Sequence, residues 1–102
     1  MKIDMTIRHG VGGPELRSFI RDGMEKALGR FVGWVNRVEV RLDDVNGPRG
    51  GQDKRCWIQV DVDGKGPIQV STLSDTAATA STQAIQKLKA RLRRVLDTRG
   101  RR

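Results

Sequence analysis

The sequence predicts an α+β fold of order β-α-β-β-β-α: a four-stranded mixed sheet with two helices packed on one face. Three observations predict it. Four stretches alternate apolar and polar residues with the two-residue period of a half-buried strand. Two stretches repeat apolar residues at three- and four-residue steps, the period of an amphipathic helix. Glycine, proline and aspartate gather at the junctions, where turns favour them.

The first strand places Ile3, Met5 and Ile7 on one face and Lys2, Asp4, Thr6 and Arg8 on the other. Gly10, Gly12 and Gly13 end it, and Pro14 suits the first turn of a helix. In that helix Leu16, Phe19, Ile20, Ala27 and Phe31 form the predicted apolar stripe. Gly23 falls inside the helix, at a cost of about 1 kcal/mol against alanine, and a close approach to the sheet would account for it. Gly33 is the expected stop. Val38, Val40 and Leu42 mark the second strand, and Asp43 to Asp53 reads as a long, mobile loop around Asn46-Gly47-Pro48 and Gly50-Gly51.

The third strand points Ile58, Val60 and Val62 inward and Trp57, Gln59 and Asp61 outward. Asp63 to Gly66 is a turn, and Ile68 to Leu73 the fourth strand. Ser74 or Asp75 is placed to cap the last helix, which the pattern carries to Asp97 or Thr98. The helix between strands one and two demands a right-handed crossover and hence parallel neighbours. The remaining strands make an antiparallel meander. One apolar face per strand places both helices on the same side. The other sheet face is expected to be polar apart from Trp57.

At 102 residues the chain forms one domain, predicted over residues 1–98, with a basic tail at 99–102. No apolar run approaches the ~20 residues of a membrane span, and the charged, alternating start is unlike a secretory signal. The lone Cys56 excludes an internal disulfide and fits a reducing, cytoplasmic setting.

Charge is the most directive feature. The formal net charge is +8, and residues 87–102 hold eight Lys and Arg against one acid, Asp97. Uniform solvation would spread charge evenly along the chain. Here it concentrates on a segment that also carries a helical repeat, through Ile85, Leu88, Leu92, Val95 and Leu96. Positive charge in fixed geometry attracts a polyanion, because each neutralised phosphate releases condensed counterions. On helical projection Lys87, Arg93 and Arg94 fall on the open side of the last helix, flanked by Lys89 and Arg91. The first helix puts Arg17 and Arg21 on one shoulder and Lys26 and Arg30 on the other. Side by side, the two helices would form a basic face suited to RNA shape and phosphates.

Signals for catalysis are weak. There is one histidine, no tyrosine and no Cys-His cluster of zinc-binding spacing. Asp43-Asp44 and Asp61-x-Asp63 could pair as carboxylates, but they sit at strand ends, where aspartate serves backbone hydrogen bonding. The glycines match neither a Walker loop nor a dinucleotide fingerprint. Four aromatic residues are too few for the stacking pattern of an RNA-recognition motif. Neither an enzyme nor a cofactor or metal is expected.

The chain resembles the ribosome hibernation-promoting factors, also known as the ribosome-associated inhibitor or sigma-54 modulation family. The opening Met-Lys-Ile-Asp-Met-Thr-Ile-Arg-His, ending in Arg8-His9, is similar to the family's first strand. Pro14-Glu15-Leu16-Arg17 matches its Thr-Pro-x-Leu-Arg helix start, with Gly13 in place of the capping threonine. Glu25-Lys26-x-Leu28 to Arg30-Phe31 resembles its Lys-Leu-x-Arg-Phe helix end. Val38-Glu39-Val40 fits the second strand, and Ala84-Ile85, Lys87-Leu88 and Arg91-Leu92 fit the final helix. The chain departs from the family at Asp75–Ala80, where Asp-x-Tyr-x-Ala-Ile is usual, and at the Gly-rich 46–51 insert. Ending after the last helix, it looks like a short form without a dimerisation domain.

The resemblance implies a non-enzymatic factor that docks on the small ribosomal subunit. Its basic helices would lie on ribosomal RNA in the channel for messenger and transfer RNA, blocking translation and preserving idle ribosomes. It carries over Arg8, His9, Arg17, Lys26, Arg30, Lys87 and Arg91 as RNA-binding residues. Arg21, Lys89, Arg93 and Arg94 join them on helical geometry. The expected partners are the small subunit and its ribosomal RNA, with no membrane, no small-molecule substrate and a monomer off the ribosome. Two other readings are a structured-RNA binder outside the ribosome and a protein-interaction module using the sheet face around Trp57.

Overall fold

The computed structural model describes residues 2–8, 12–45 and 54–100. The elements are β1 (Lys2–Ile7), α1 (Pro14–Leu28), a 3-10 helix (Gly29–Trp34), β2 (Val35–Asp44), β3 (Lys54–Val62), β4 (Gly66–Ser74) and α2 (Ala77–Gly100). The sheet order is β1-β2-β3-β4, with β1 parallel to β2 and the other pairs antiparallel. This is the predicted α+β architecture, with β2, β3 and β4 each longer than the alternation alone indicated.

One face of the sheet supplies the core through Val38, Val40 and Leu42, Cys56, Ile58 and Val60, and Ile68 and Val70. The helices close it with Ile20, Met24 and Leu28 from α1 and Ala80, Ala84, Leu88 and Leu92 from α2. Ile3, Met5 and Ile7 of β1 pack against it. Small residues at Ala77, Ala80 and Ala84 let the start of α2 lie close to the sheet, where Thr72 Oγ1 donates to the Ala80 carbonyl at 2.6 Å. The hairpin between β3 and β4 needs left-handed backbone at Gly64 (φ 76°) and Gly66 (φ 79°), which only glycine adopts without strain.

Several local expectations are corrected. Phe19 is 48% exposed, and the α1 stripe runs instead through Ile20, Met24, Ala27 and Leu28. At about 100° per residue Phe19 lies roughly 140° around the helix from Met24, out of reach of the sheet. Gly23 does mark a close approach, but to the other helix: a Cβ there would stand 3.0 Å from Ile85 Cδ1 of α2. Gly33 does not stop α1, which ends at Leu28 and tightens into the 3-10 helix that buries Phe31.

The cap of α2 is Thr76, whose Oγ1 accepts the Thr79 N–H at 3.1 Å, while Ser74 is buried at the end of β4. With nothing at Thr98 or Arg99 to break it, α2 continues to Gly100. Asp43 and Asp44 belong to β2, opposite Arg55 and Lys54, rather than to the loop. The rest of that loop, at 46–53, lies outside the described residues. As expected, Pro14 opens α1 and Gly13 leaves it without a side-chain cap.

Candidate nucleic-acid interface

The buried stripe of each helix fixes where its cations point. On α1, burial of Ile20, Met24 and Ala27 turns Lys26 toward α2. Lys26 there lines a groove of about 380 Å³ between the helices, with Phe19, Asp22, Gly23, Thr82, Ile85 and Gln86. Lys89 follows Ile85 by one helical turn and Arg93 follows Lys89 by another, so both continue this flank of α2. Arg30, one turn beyond Lys26, extends the same side of α1 into the 3-10 helix, its guanidinium 5.2 Å from the Phe31 ring centroid. Lys26, Arg30, Lys89 and Arg93 therefore form a band along the seam between the helices.

The remaining helix cations lie over the two edges of the sheet. At the β4 edge, Lys87 Nζ donates to the Ser71 carbonyl at 3.2 Å and Arg91 Nη1 to the Gln69 carbonyl at 3.3 Å, with Arg94 beside them. At the β1 edge, Arg17 Nη1 donates to the Met5 carbonyl at 3.3 Å, and Arg21 is one turn further along. Edge strands present unpaired carbonyls that invite another chain to pair. Three of the cations singled out by resemblance thus also close the sheet edges, while remaining exposed.

Arg8 is not part of the helix layer. Its N–H donates to the Leu42 carbonyl at 2.9 Å, prolonging the β1–β2 ladder. Its side chain lines a hollow on the open sheet face with Arg41, Asp43, Arg55 and Trp57. His9 lies outside the described residues. Sequence reasoning named the sheet face around Trp57 as a protein-interaction surface and missed the arginines that gather there.

The two faces differ in how charge is compensated. On the sheet face Arg37 Nη2 pairs with Asp4 Oδ2 at 3.0 Å, and Arg41 Nη2 with Glu39 Oε2 at 2.8 Å. Among the described residues no ion pair engages Arg21, Lys26, Lys89, Arg93 or Arg94. Uncompensated, exposed cations keep their field available to an external polyanion.

Other chemistry finds little support in the geometry. Neighbouring residues of a strand point to opposite faces, so Asp43 and Asp44 do not converge. No group of three His, Cys, Asp or Glu suited to a metal occurs among the described residues. Cys56 is a buried inward residue of β3. Burial pushes its thiol up to about 11, against a partial lowering by a hydrogen bond with Ser81, so it is held as the thiol rather than the nucleophilic thiolate.

A layer of two helices on one sheet, with exposed cations along the helix side, defines a small α+β domain. The structure is similar to the N-terminal domain of Protein Y from Thermus thermophilus, with TM-score 0.74, 21% identity, and coverage of 93% of this chain and 99% of that one. It is also similar to a ribosomal subunit interface protein from Coxiella burnetii, with TM-score 0.69, 20% identity, and coverage of 95% and 99%. At those identities the likeness establishes the fold. No curated protein sequence matches the chain. The family model of the sigma 54 modulation protein / S30EA ribosomal protein matches residues 3–99, and the chain belongs to that family. Its class is therefore that of a ribosome-associated modulation factor.

Proposed function

We propose that the protein is a hibernation-type translation inhibitor. It docks its helix layer on the ribosomal RNA of the small subunit, in the channel that messenger and transfer RNA would otherwise occupy. Family membership supplies the ribosome. The observation that favours the helix layer as the docking surface is the set of exposed cations Arg21, Lys26, Lys89, Arg93 and Arg94, which no ion pair engages among the described residues.

The mechanism needs no bond making or breaking. Lys26, Lys89, Arg93 and Arg94, with Arg21 and Arg30, neutralise phosphates and release counterions. Each arginine can grip two phosphate oxygens, whereas lysine acts as a point charge. Arg17, Lys87 and Arg91 contribute from the sheet edges, whereas Arg8 lies on the opposite face of the sheet and takes no part in this docking. The rigid helix pair is pre-organised, so little conformational entropy is lost on docking. Inhibition is by occupancy, with no cofactor, small-molecule substrate or membrane in the scheme. No helix among the described residues is long and apolar enough to cross a membrane. The protein would act in the cytoplasm, as a single ribosome-binding domain and a monomer off the ribosome.

Sedimentation with small subunits, whole ribosomes and a control RNA duplex at physiological salt tests this reading. Saturable pelleting with small subunits is expected, displaced by messenger and transfer RNA and lost when Lys26, Lys89 and Arg93 are changed to Glu. Equal retention by the duplex would make the protein a general structured-RNA binder. Pelleting that survives the charge reversal would overturn the helix layer as the docking surface.

A further inference from the structure

The open face of the sheet carries a second cationic site, built differently from the helix layer. Pairing of β2 with β3 sets Arg41 directly opposite Trp57, and pairing of β3 with β4 sets Ser71 beyond it. The Arg41 guanidinium lies over the indole at 4.7 Å from the ring centroid. Glu39 holds it there, accepting from Arg41 Nε at 2.9 Å. The result is a fixed planar platform of indole and guanidinium. Arg41 remains 57% exposed.

The next row of the sheet adds charge beside that platform. Arg8 follows directly on β1, Asp43 and Arg55 come from β2 and β3, and Asp43 faces Arg55 in register. All three line one hollow of about 290 Å³ with Thr6, Arg41 and Trp57. Neither Arg8 nor Arg55 is in an ion pair among the described residues. With Arg41 paired to Glu39, Arg8 and Arg55 against Asp43 leave the lining positive by one charge. The volume is near the lower bound of small-ligand sites, roughly 300 Å³, which is room for one base and its phosphate.

We propose that this hollow binds one nucleotide unit of a single-stranded nucleic acid, its base against the Trp57–Arg41 platform and its phosphate between Arg8 and Arg55. Bases stack on aromatic rings and on guanidinium planes, while a duplex keeps its base faces covered. An acidic peptide would use the arginines but offers no base to stack on the Trp57–Arg41 pair. The site lies on the opposite side of the sheet from the helix layer. It goes beyond the ribosome reading and is separable from it.

Of the two tryptophans, Trp34 and Trp57, changing the exposed Trp34 to Phe leaves Trp57 as the sole indole emitter. Its emission is followed while the full chain is titrated with a single-stranded hexaribonucleotide, adenosine monophosphate, an RNA duplex and a poly-glutamate peptide. The expected result is saturable quenching by the hexaribonucleotide, weaker by at least tenfold with the mononucleotide, and absent with the duplex and the peptide. Changing Arg8 and Arg55 to Gln should raise the half-saturation point at least tenfold. Changing Lys2 and Lys65 to Gln, two charges outside both surfaces, should leave it within twofold.

Absence of quenching by the hexaribonucleotide overturns the proposal. So does quenching indifferent to Arg8 and Arg55, or quenching matched by the peptide. Equal affinity for the mononucleotide would reassign the hollow to a free nucleotide and overturn the strand. Because ribosomes are absent from the titration, failure here is distinct from failure of the helix-layer reading.

Discussion

On the open face of the sheet, Arg37 is neutralised by Asp4 across the β1–β2 pairing, and Arg41 by Glu39 two residues before it on β2. Across the core, Arg21, Lys26, Lys89, Arg93 and Arg94 stand exposed with no such partner among the described residues. Both faces are built on the same core and both display arginine. What separates Arg37 and Arg41 from these helix cations is compensation: a paired cation has satisfied its nearest field lines locally, and an unpaired one projects them outward. Counting basic residues does not locate a polyanion surface. Counting those left without carboxylates does.

The largest effect should come from reversing charge on the unpaired face. Changing Lys26, Lys89, Arg93 and Arg94 to Glu is expected to weaken small-subunit binding by at least ~100-fold at physiological salt, measured by sedimentation or filter retention. Next comes loss of geometry at constant charge. Leu88 is fully buried under α2, and Leu88→Ala should lower unfolding free energy by about 2–5 kcal/mol, read by chemical denaturation. Below its transition that variant should still bind, which separates the frame from the charges it carries.

A smaller effect is expected at the helix crossing. Ile85 Cδ1 is the free end of a half-buried side chain and can move a few tenths of an ångström. Gly23→Ala should then recover up to about 1 kcal/mol of helix propensity, seen as a raised denaturation midpoint. The smallest effect belongs to the paired face. Asp4→Asn removes an exposed ion pair to Arg37 and should cost about 0.2–1 kcal/mol. By freeing Arg37 it should also raise non-specific RNA retention slightly, a direct sign that compensation was limiting.

Much of this frame was legible in the residue order, because strand alternation and helical steps are local signals. Val38, Val40 and Leu42 point inward as their spacing predicted, and so do Ile58, Val60 and Val62. The split of α1 cations between two shoulders also followed from helical position alone. What escaped depends on how elements meet. Phe19 has the spacing of a core residue, yet only the placement of α1 on the sheet decides that Met24 and Leu28 take that role. Gly23 announces a close approach without saying to what.

Arg37 and Asp4 are 33 residues apart and meet through the parallel register of β1 and β2. Arg41 and Trp57 meet through the antiparallel register of β2 and β3. Periodicity fixes which face a residue takes, not which residue stands opposite. That is why the sheet face around Trp57 could be named as a candidate surface, while the arginines that gather beside Trp57 could not be foreseen.

The central claim is that the unpaired helix cations carry ribosome binding. Charge-matched doubles test it most directly: Lys89→Gln with Arg93→Gln on the helix layer, and Lys2→Gln with Arg37→Gln on the sheet face. The quantity to measure is the dependence of small-subunit affinity on salt concentration for each. Each lost phosphate contact reduces the log–log slope by about 0.7–0.9, so the helix double should flatten it by about 1.5. The sheet double should leave the slope at the wild-type value. Equal flattening by both would show that net charge alone drives binding and would contradict a dedicated helix-layer interface.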